Sequence, residues 1–322
     1  MPLTRHITTV TLNAAIDKTY FVPDLVPGKA NRASRTIAQA GGKGINAARV
    51  AHALGEPVIA TGFAAGLNGQ MIRSGLTQEG IPHSFVEAAG ESRTCLNLLN
   101  EATGESLEIL EAGIQIGEDD CERLFTHVKE LAATSSVIVM SGSIPSGGSP
   151  DIYRRLIEAV KEFRVPVILD TSGEALLSGI QAAPFMIKPN KEEAARLTSE
   201  AAKDDAEGDE RLHETIRYLA QANQIPCIAV SLGEKGAVAL YQGKLYSVSA
   251  AKVQAVNPVG SGDAFVAGFA VSLHRGYDIA SSLMLASACG ASNSLHSAAG
   301  IVLPDEVAAL IEQIEVRELA DL

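Results

Sequence analysis

Two patterns of apolar and polar positions alternate along the chain. Short β-branched runs recur as HITTVTL (6–12), PVIATGFA (57–64), SSVIVMSGS (135–143), VPVILDTSG (165–173), PFMIKPN (184–190) and PCIAVSLG (226–233). Helical spacing marks GINAARVAHALG (44–55), NGQMIRSGLTQEG (68–80), SPDIYRRLIEAVKEF (149–163), KEEAARLTSEAAKDD (191–205), a long stretch ending near Ala222, and AFVAGFAVSL (264–273). Within the strands, VIVM, VILD and CIAVS are almost unbroken apolar runs, the mark of parallel strands covered on both faces. Gly, Ser or Pro follows each run, and then a helix. This βαβα order predicts an α/β fold with a doubly wound, mainly parallel sheet flanked by helices, and ligands at the carboxyl ends of the strands.

Two segments break the rhythm, roughly residues 17–40 and 92–111. The second, SRTCLNLLNEATGESLEIL, alternates and turns at Thr103-Gly104. Both predict short antiparallel strands set off from the main sheet as a small β lid. GAVALYQGKLYSVSA (236–250) reads as a hairpin extending the sheet edge, and EAAKDDAEGDER (200–211) as an exposed helix end or loop. Repeats, low-complexity tracts and long linkers are absent, so 1–322 reads as a single domain with lid segments.

Composition narrows the function. Of the 322 residues, 46% are hydrophobic and 20% charged, enough for a large core, and the net charge is −12 with 4% aromatics and no Trp. That acidic balance speaks against a nucleic-acid partner. The N-terminus lacks the pattern of a signal peptide, and no run reaches the roughly 18 apolar residues of a membrane span, so a cytoplasmic protein is expected. Cys95, Cys121, Cys227 and Cys289 form no CxxC pair, which predicts reduced thiols and no zinc site.

The chemistry lies in the turns. A Walker A loop and a GxGxxG fingerprint are both missing. NPVGSGDAFVAG (257–268) instead places Gly260, Ser261 and Gly262 before a helix, where backbone amides attract anions, and follows them with a carboxylate, Asp263. Taken alone, such an Asp is as well explained as a helix cap. SLGEKG offers Ser231, Gly233 and Gly236 as a second nucleotide-facing turn or as a hairpin entry. In KPN, Lys188 suits a phosphate; Asn190 and Glu193 suit either a magnesium ion reached through water or a capping box. Asp17, at the end of strand TTVTL, suits sugar hydroxyls. Gly42, Lys43 and Asn46 in AGGKGIN add close backbone approach and donors, and Arg93 on the lid suits a phosphate clamp or a solvated edge.

In order along the chain, TLNAAID, GGKGIN, SRTCLN, SGSIP, LDTSGEAL, KPNKEE, VSLGEKGA and NPVGSGDAFVAG together resemble the ribokinase-like superfamily of sugar kinases. Within it the chain is similar to the phosphofructokinase B-type hexose-phosphate kinases over essentially its whole length. TLNAAID, GGKGIN and LDTSGEAL are closer to 1-phosphofructokinases and tagatose-6-phosphate kinases than to ribokinase. VNPVGSGD leans to the tagatose-6-phosphate kinases.

The resemblance implies that Asp263 is the general base, held beside an anion hole of the Gly260, Ser261 and Gly262 amides. The helix N-terminus is expected to keep it ionised at neutral pH. By the same resemblance Asp17, Gly42, Lys43 and Asn46 bind a sugar phosphate, Arg93 grips its phosphate from the lid, Ser143 lines the cleft, and Arg32 is a further phosphate candidate. Lys188, Asn190, Ser231, Gly233 and Gly236 would contact ATP, Asn293 would border the adenine, and Glu193 would organise Mg2+ through water. The lid would close over the sugar and form a homodimer interface. Ala14-Ala15 and Ala264 depart from the Pro-Ser and Ser frequent among relatives, which puts substrate identity, not catalysis, in question.

The activity implied is ATP-dependent phosphorylation of a ketohexose monophosphate to the bisphosphate: fructose 1-phosphate first, then tagatose 6-phosphate, then fructose 6-phosphate. A kinase of an unphosphorylated sugar or nucleoside has no use for both Lys43 and Arg93. A non-catalytic sugar-phosphate sensor has no need of Asp263.

Overall fold

The computed structural model describes residues 5–197 and 209–319. The chain begins β1 (His6–Thr11), β2 (Ala15–Val22), β3 (Arg35–Gly41), α1 (Lys43–Ala53), β4 (Val58–Ala64), α2 (Gly66–Gln78) and β5 (His83–Glu87). Next come β6 (Arg93–Asn100), β7 (Ser106–Leu110), α3 (Glu118–Ala132), β8 (Ser135–Ser141), α4 (Ile152–Val160), β9 (Val167–Asp170) and α5 (Gly173–Gly179). β10 (Met186–Ile187), α6 (Lys191–Arg196), α7 (Asp209–Asn223), β11 (Cys227–Ser231), β12 (Ala237–Tyr241) and β13 (Lys244–Val248) follow. The chain closes with α8 (Ser261–Arg275), α9 (Ile279–Ser294), α10 (Pro304–Ile311) and β14 (Val316–Glu318).

The large sheet has ten strands in the order β14-β13-β12-β11-β10-β9-β8-β1-β4-β5. From β11 through β5 every neighbouring pair is parallel; β12, β13 and β14 add an antiparallel edge. Strand β1 lies between β4 and β8, so the chain winds outward from it in both directions. The crevice of a doubly wound sheet opens at the carboxyl ends of such strands. Alternation splits the side chains of each strand between two cores: Val137 and Val139 of β8 face α1, α8 and α9, while Ile138 and Met140 face α3, α4 and α5. All four are 0% exposed, each contributing roughly 1.5–3 kcal/mol by burial. This double coverage is why the runs carry no polar alternation.

The two segments that break the rhythm form a separate four-stranded sheet, β3-β2-β6-β7. It is not wholly antiparallel as expected: the central pair β2–β6 is parallel. The excursion through α1, β4, α2 and β5 separates them and returns the chain to the same end, as a parallel pair requires. Asp17 also lies elsewhere than expected. Strand β1 stops at Thr11, the chain turns, and Asp17 is the third residue of β2 in the small sheet, paired with Gln39 and Cys95.

The hairpin expected at 236–250 is β12–β13, and β14 extends it. Helix α6 stops at Arg196, and the rest of its expected span, with most of 200–211, lies outside the described residues. Cys121, Cys227 and Cys289 are buried, Cys95 is half-buried, and all are free thiols. No helix among the described residues is long and apolar enough to cross a membrane.

Candidate active site

Helices α1 and α8 point their N-termini at the carboxyl end of the parallel sheet, and their first turns meet there. Gly260 caps α8 with φ 85°, a conformation glycine adopts readily. A β-carbon at that position would stand 2.7 Å from Ala299 Cβ, so both space and backbone require glycine. Of the three amides expected in the anion hole, that of Ser261 is spent on Pro258 O at 3.2 Å. The helix geometry leaves the Gly262 N–H in the first turn without an intrahelical acceptor.

Asp263, 6% exposed, accepts a hydrogen bond at Oδ2 from Asn46 Nδ2 at 2.9 Å. The helix N-terminus does not hold its pKa down. Burial pushes the carboxyl up to about 7; Lys43, Asn46 and Lys188 draw it back only in part, and Asp170 adds to the rise. Desolvation of a carboxylate outweighs a helix dipole of half a charge.

Around this carboxyl lies a short charged chain. Asp170, at the end of β9, is 3.4 Å from Lys43 Nζ and 3.5 Å from Lys188 Nζ. Burial favours its neutral form, but the two ammoniums prevail and hold it below the usual carboxylate range. In return Asp170 raises the pKa of Lys43, with help from Asp263 and Glu193. Lys188 is 7% exposed and lies against Gly262, where a β-carbon would come within 3.1 Å of Nζ. With Asp263 protonated, the two lysines outnumber the one carboxylate, and an anion fits the balance.

A second group faces it from the small sheet. The Asp17 carboxylate packs on the backbone of Gly41, where a β-carbon would fall 2.1 Å from Oδ2. Burial raises the Asp17 pKa, partly offset by Arg93, Arg49 and the Cys95 thiol. Arg93 Nε donates to Asn13 O at 3.1 Å, and Asn13 Nδ2 donates to Ala112 O at 3.0 Å and Ser143 Oγ at 3.3 Å. Gly42 caps α1 with φ 110°. Lys43, expected with Arg93 at the substrate's own phosphate, pairs with Asp170 and also feels the charges of Asp263 and Glu193.

A third group lies along the neighbouring strand ends. Asn190 and Glu193 form a reciprocal capping box, Glu193 N to Asn190 Oδ1 at 2.8 Å and Asn190 N to Glu193 Oε2 at 2.9 Å. Ser231 bridges to Asn190. Gly233 (φ 61°) borders open space.

Two expected residues are engaged in holding backbone, and a third stands apart. Gly236 serves the hairpin, since a β-carbon there would lie 2.0 Å from Val248 O. Asn293, expected beside adenine, is 0% exposed and ties loops together: Nδ2 donates to Val259 O at 2.9 Å and Ser261 Oγ at 3.3 Å, and Oδ1 accepts from Gly300 N at 2.7 Å. Arg32 is exposed on the β2–β3 connection, with no hydrogen bond or ion pair among the described residues.

The family model for pfkB family carbohydrate kinases matches residues 10–306. The chain belongs to that family. It is an ATP-dependent phosphotransferase. A tagatose-6-phosphate kinase of Staphylococcus epidermidis is 36% identical over 97% of this chain and 100% of its own. Phosphofructokinase-2 from Escherichia coli superposes with a TM-score of 0.89 at 26% identity, covering 96% of this chain and 98% of its own. A ribokinase from Arabidopsis thaliana shares the fold, at TM-score 0.77 and 23% identity over 96% of this chain and 99% of its own.

Sequence reasoning missed three side chains of this carbohydrate kinase. Asp170 is signalled by the acidic residue that ends the apolar run VILD. Asn13, 5% exposed with no partner for Oδ1 among the described residues, is signalled by a polar residue just past β1. Cys95, whose thiol burial lifts to about 11, has no sequence signal; only the β2–β6 register sets it beside Asp17.

Proposed function

We propose that this kinase transfers the γ-phosphoryl group of ATP to a free hydroxyl of a ketohexose monophosphate, giving the bisphosphate, in the cytoplasm. The carrying observation is Asp263: a buried carboxyl with a pKa near 7, hydrogen-bonded to Asn46, one residue from the Gly262 amide and beside two lysines. A base with that affinity for a proton suits neutral conditions. Ionised Asp263 takes the hydroxyl proton as the oxygen attacks phosphorus, and the bond to the ADP oxygen breaks. Lys43, Lys188 and the Gly262 amide balance charge on the transferring group, the main demand of phosphoryl transfer.

Asp17 and Asn13 Oδ1 accept sugar hydroxyls, Ser143 lines the cleft, and Arg93 meets the substrate's own phosphate. ATP lies along Lys188, Asn190, Ser231 and Gly233, with exposed Val256 and Val259 offering the base an apolar surface. Among the described residues no group of three or more His, Cys, Asp and Glu side chains is placed to hold a metal unaided. Glu193, close enough to act on Lys43, would hold Mg2+ through water. When bound, Mg2+ neutralises phosphate charge.

Tagatose 6-phosphate takes first place among substrates, ahead of fructose 1-phosphate and fructose 6-phosphate, because the curated relative with that activity matches the full length. Coupled ADP release with Mg2+ and ATP, comparing kcat/KM for these three and free fructose, tests the reading. A preference for one phosphosugar is expected, and Asp263→Asn should lower kcat by ~10²–10⁴-fold. Activity confined to free sugars, or near-normal turnover of the variant, would overturn it.

A further inference from the structure

We infer that Arg49 is a positioning residue for phosphoryl transfer: by holding the Asn46 side-chain amide in one orientation, it keeps a donor, not an acceptor, aimed at Asp263. This rests on the reading of Asp263 as the base.

Asn46 and Arg49 lie three residues apart on α1, on one face of the helix, and are 4% and 7% exposed. Arg49 Nη1 donates to Asn46 Oδ1 at 3.2 Å. A guanidinium has only donors, so it accommodates the oxygen end of the amide and turns the NH2 end away. That end donates to Asp263 Oδ2 at 2.9 Å. Were the amide reversed, its oxygen would confront the carboxylate, an arrangement tolerable only with a proton between them. The guanidinium thereby selects the ionised base that attack requires.

Arg49 is itself anchored from two other elements. Nη2 donates to Ala40 O in β3 at 2.8 Å, and Nε and Nη2 meet Glu79 Oε2 and Oε1, at the end of α2, at 2.6 and 3.1 Å. The fork is planar and its bonds are fixed together, so the amide has one resting orientation. The other groups facing Asp263 are Lys43 from α1, Asp170 from β9 and Lys188 beyond β10; none of them contacts Arg49. Arg49 also bears on Asp17, which touches the sugar, so the test reads kcat at saturating substrate.

The experiment measures kcat against pH for the full-length enzyme with Mg2+, ATP and tagatose 6-phosphate, or fructose 6-phosphate if that turns over faster. Arg49→Met should move the acid limb upward by about one pH unit, as loss of a hydrogen bond to the charged form does. Its alkaline plateau should stay within about 3-fold of the parent, because only the protonation of the base has changed. In an Asn46→Ala background the same substitution should produce no further shift. An unmoved limb, or an equal shift without Asn46, would overturn the inference. If Arg49→Met does not fold, Arg49→Lys decides: it retains the charge without the fork, so an upward shift supports the inference and an unchanged limb overturns it. An acid limb that persists in the residual activity of Asp263→Asn would instead overturn the assignment of the base.

Discussion

Asp263 occupies the third position of a helix whose free amides favour negative charge, and yet its carboxyl holds a proton up to about pH 7. Burial decides this, because the dipole stabilises a charge only weakly compared with the water that burial removes. Two outcomes follow from the same shift. The acid limb of kcat/KM for the free enzyme should have its midpoint near pH 7, measurable with the coupled assay and absent from the Asp263→Asn variant. Stability should follow the proton as well. Below the unfolded carboxyl's pKa both states are protonated; between there and about pH 7 the unfolded chain ionises first, and the folded state loses relative stability as pH rises. Asp263→Asn, which cannot ionise, should therefore melt on the order of 5 °C above the parent at pH 8 and close to it at pH 4. An equal difference at both values would show that the side chain titrates normally.

The site depends on how α8 is held. Gly268, five residues beyond the base, lies so close to α9 that a β-carbon would meet Ala286 Cα, Cys289 Sγ and Leu285 O, each at 2.9 Å. Gly268→Leu should force the two helices apart and cost about 1–3 kcal/mol, read as a fall in Tm. It should also lower kcat more than it raises the KM of ATP, because α8 carries Asp263, the proposed base. Asn293 on α9 acts at the other end, bonding both Val259 and Gly300 so that the glycine turn keeps its shape. The capping box of α6 orients Glu193 while satisfying the helix end.

The small sheet has two unlike faces. Strand alternation puts Asp17 and Cys95 on the cleft side and Leu96, Leu98, Leu107 and Ile109 together on the other, with Tyr20 beside Leu98. Leu107 and Ile109 are 52% and 49% exposed. A patch of this kind suits contact with a second copy of the chain, an interface proposed here for the outer face of the lid. Leu107→Lys with Ile109→Lys should convert it to a monomer in sedimentation velocity. The KM for the sugar phosphate should rise more than that for ATP, because the lid then lacks its support.

The doubly wound sheet, the edge hairpin and the glycine turn at 260–262 were legible along the chain, because each rests on local periodicity or on a backbone demand only certain residues meet. The motifs likewise singled out Asp263, Lys43, Asn46 and Lys188, and the fold brings these four together. Their electrostatics were not legible. That Asp170 lies between two lysines, and that Arg49 bonds the side chain of Asn46, which in turn bonds Asp263, depends on strands and helices distant in sequence meeting at one crevice. Burial of a titratable group is likewise a property of everything packed around it. Local pattern therefore dictated which elements form and which polar residues stand in the turns at the strand ends, while tertiary packing alone decided their contacts and their charge states.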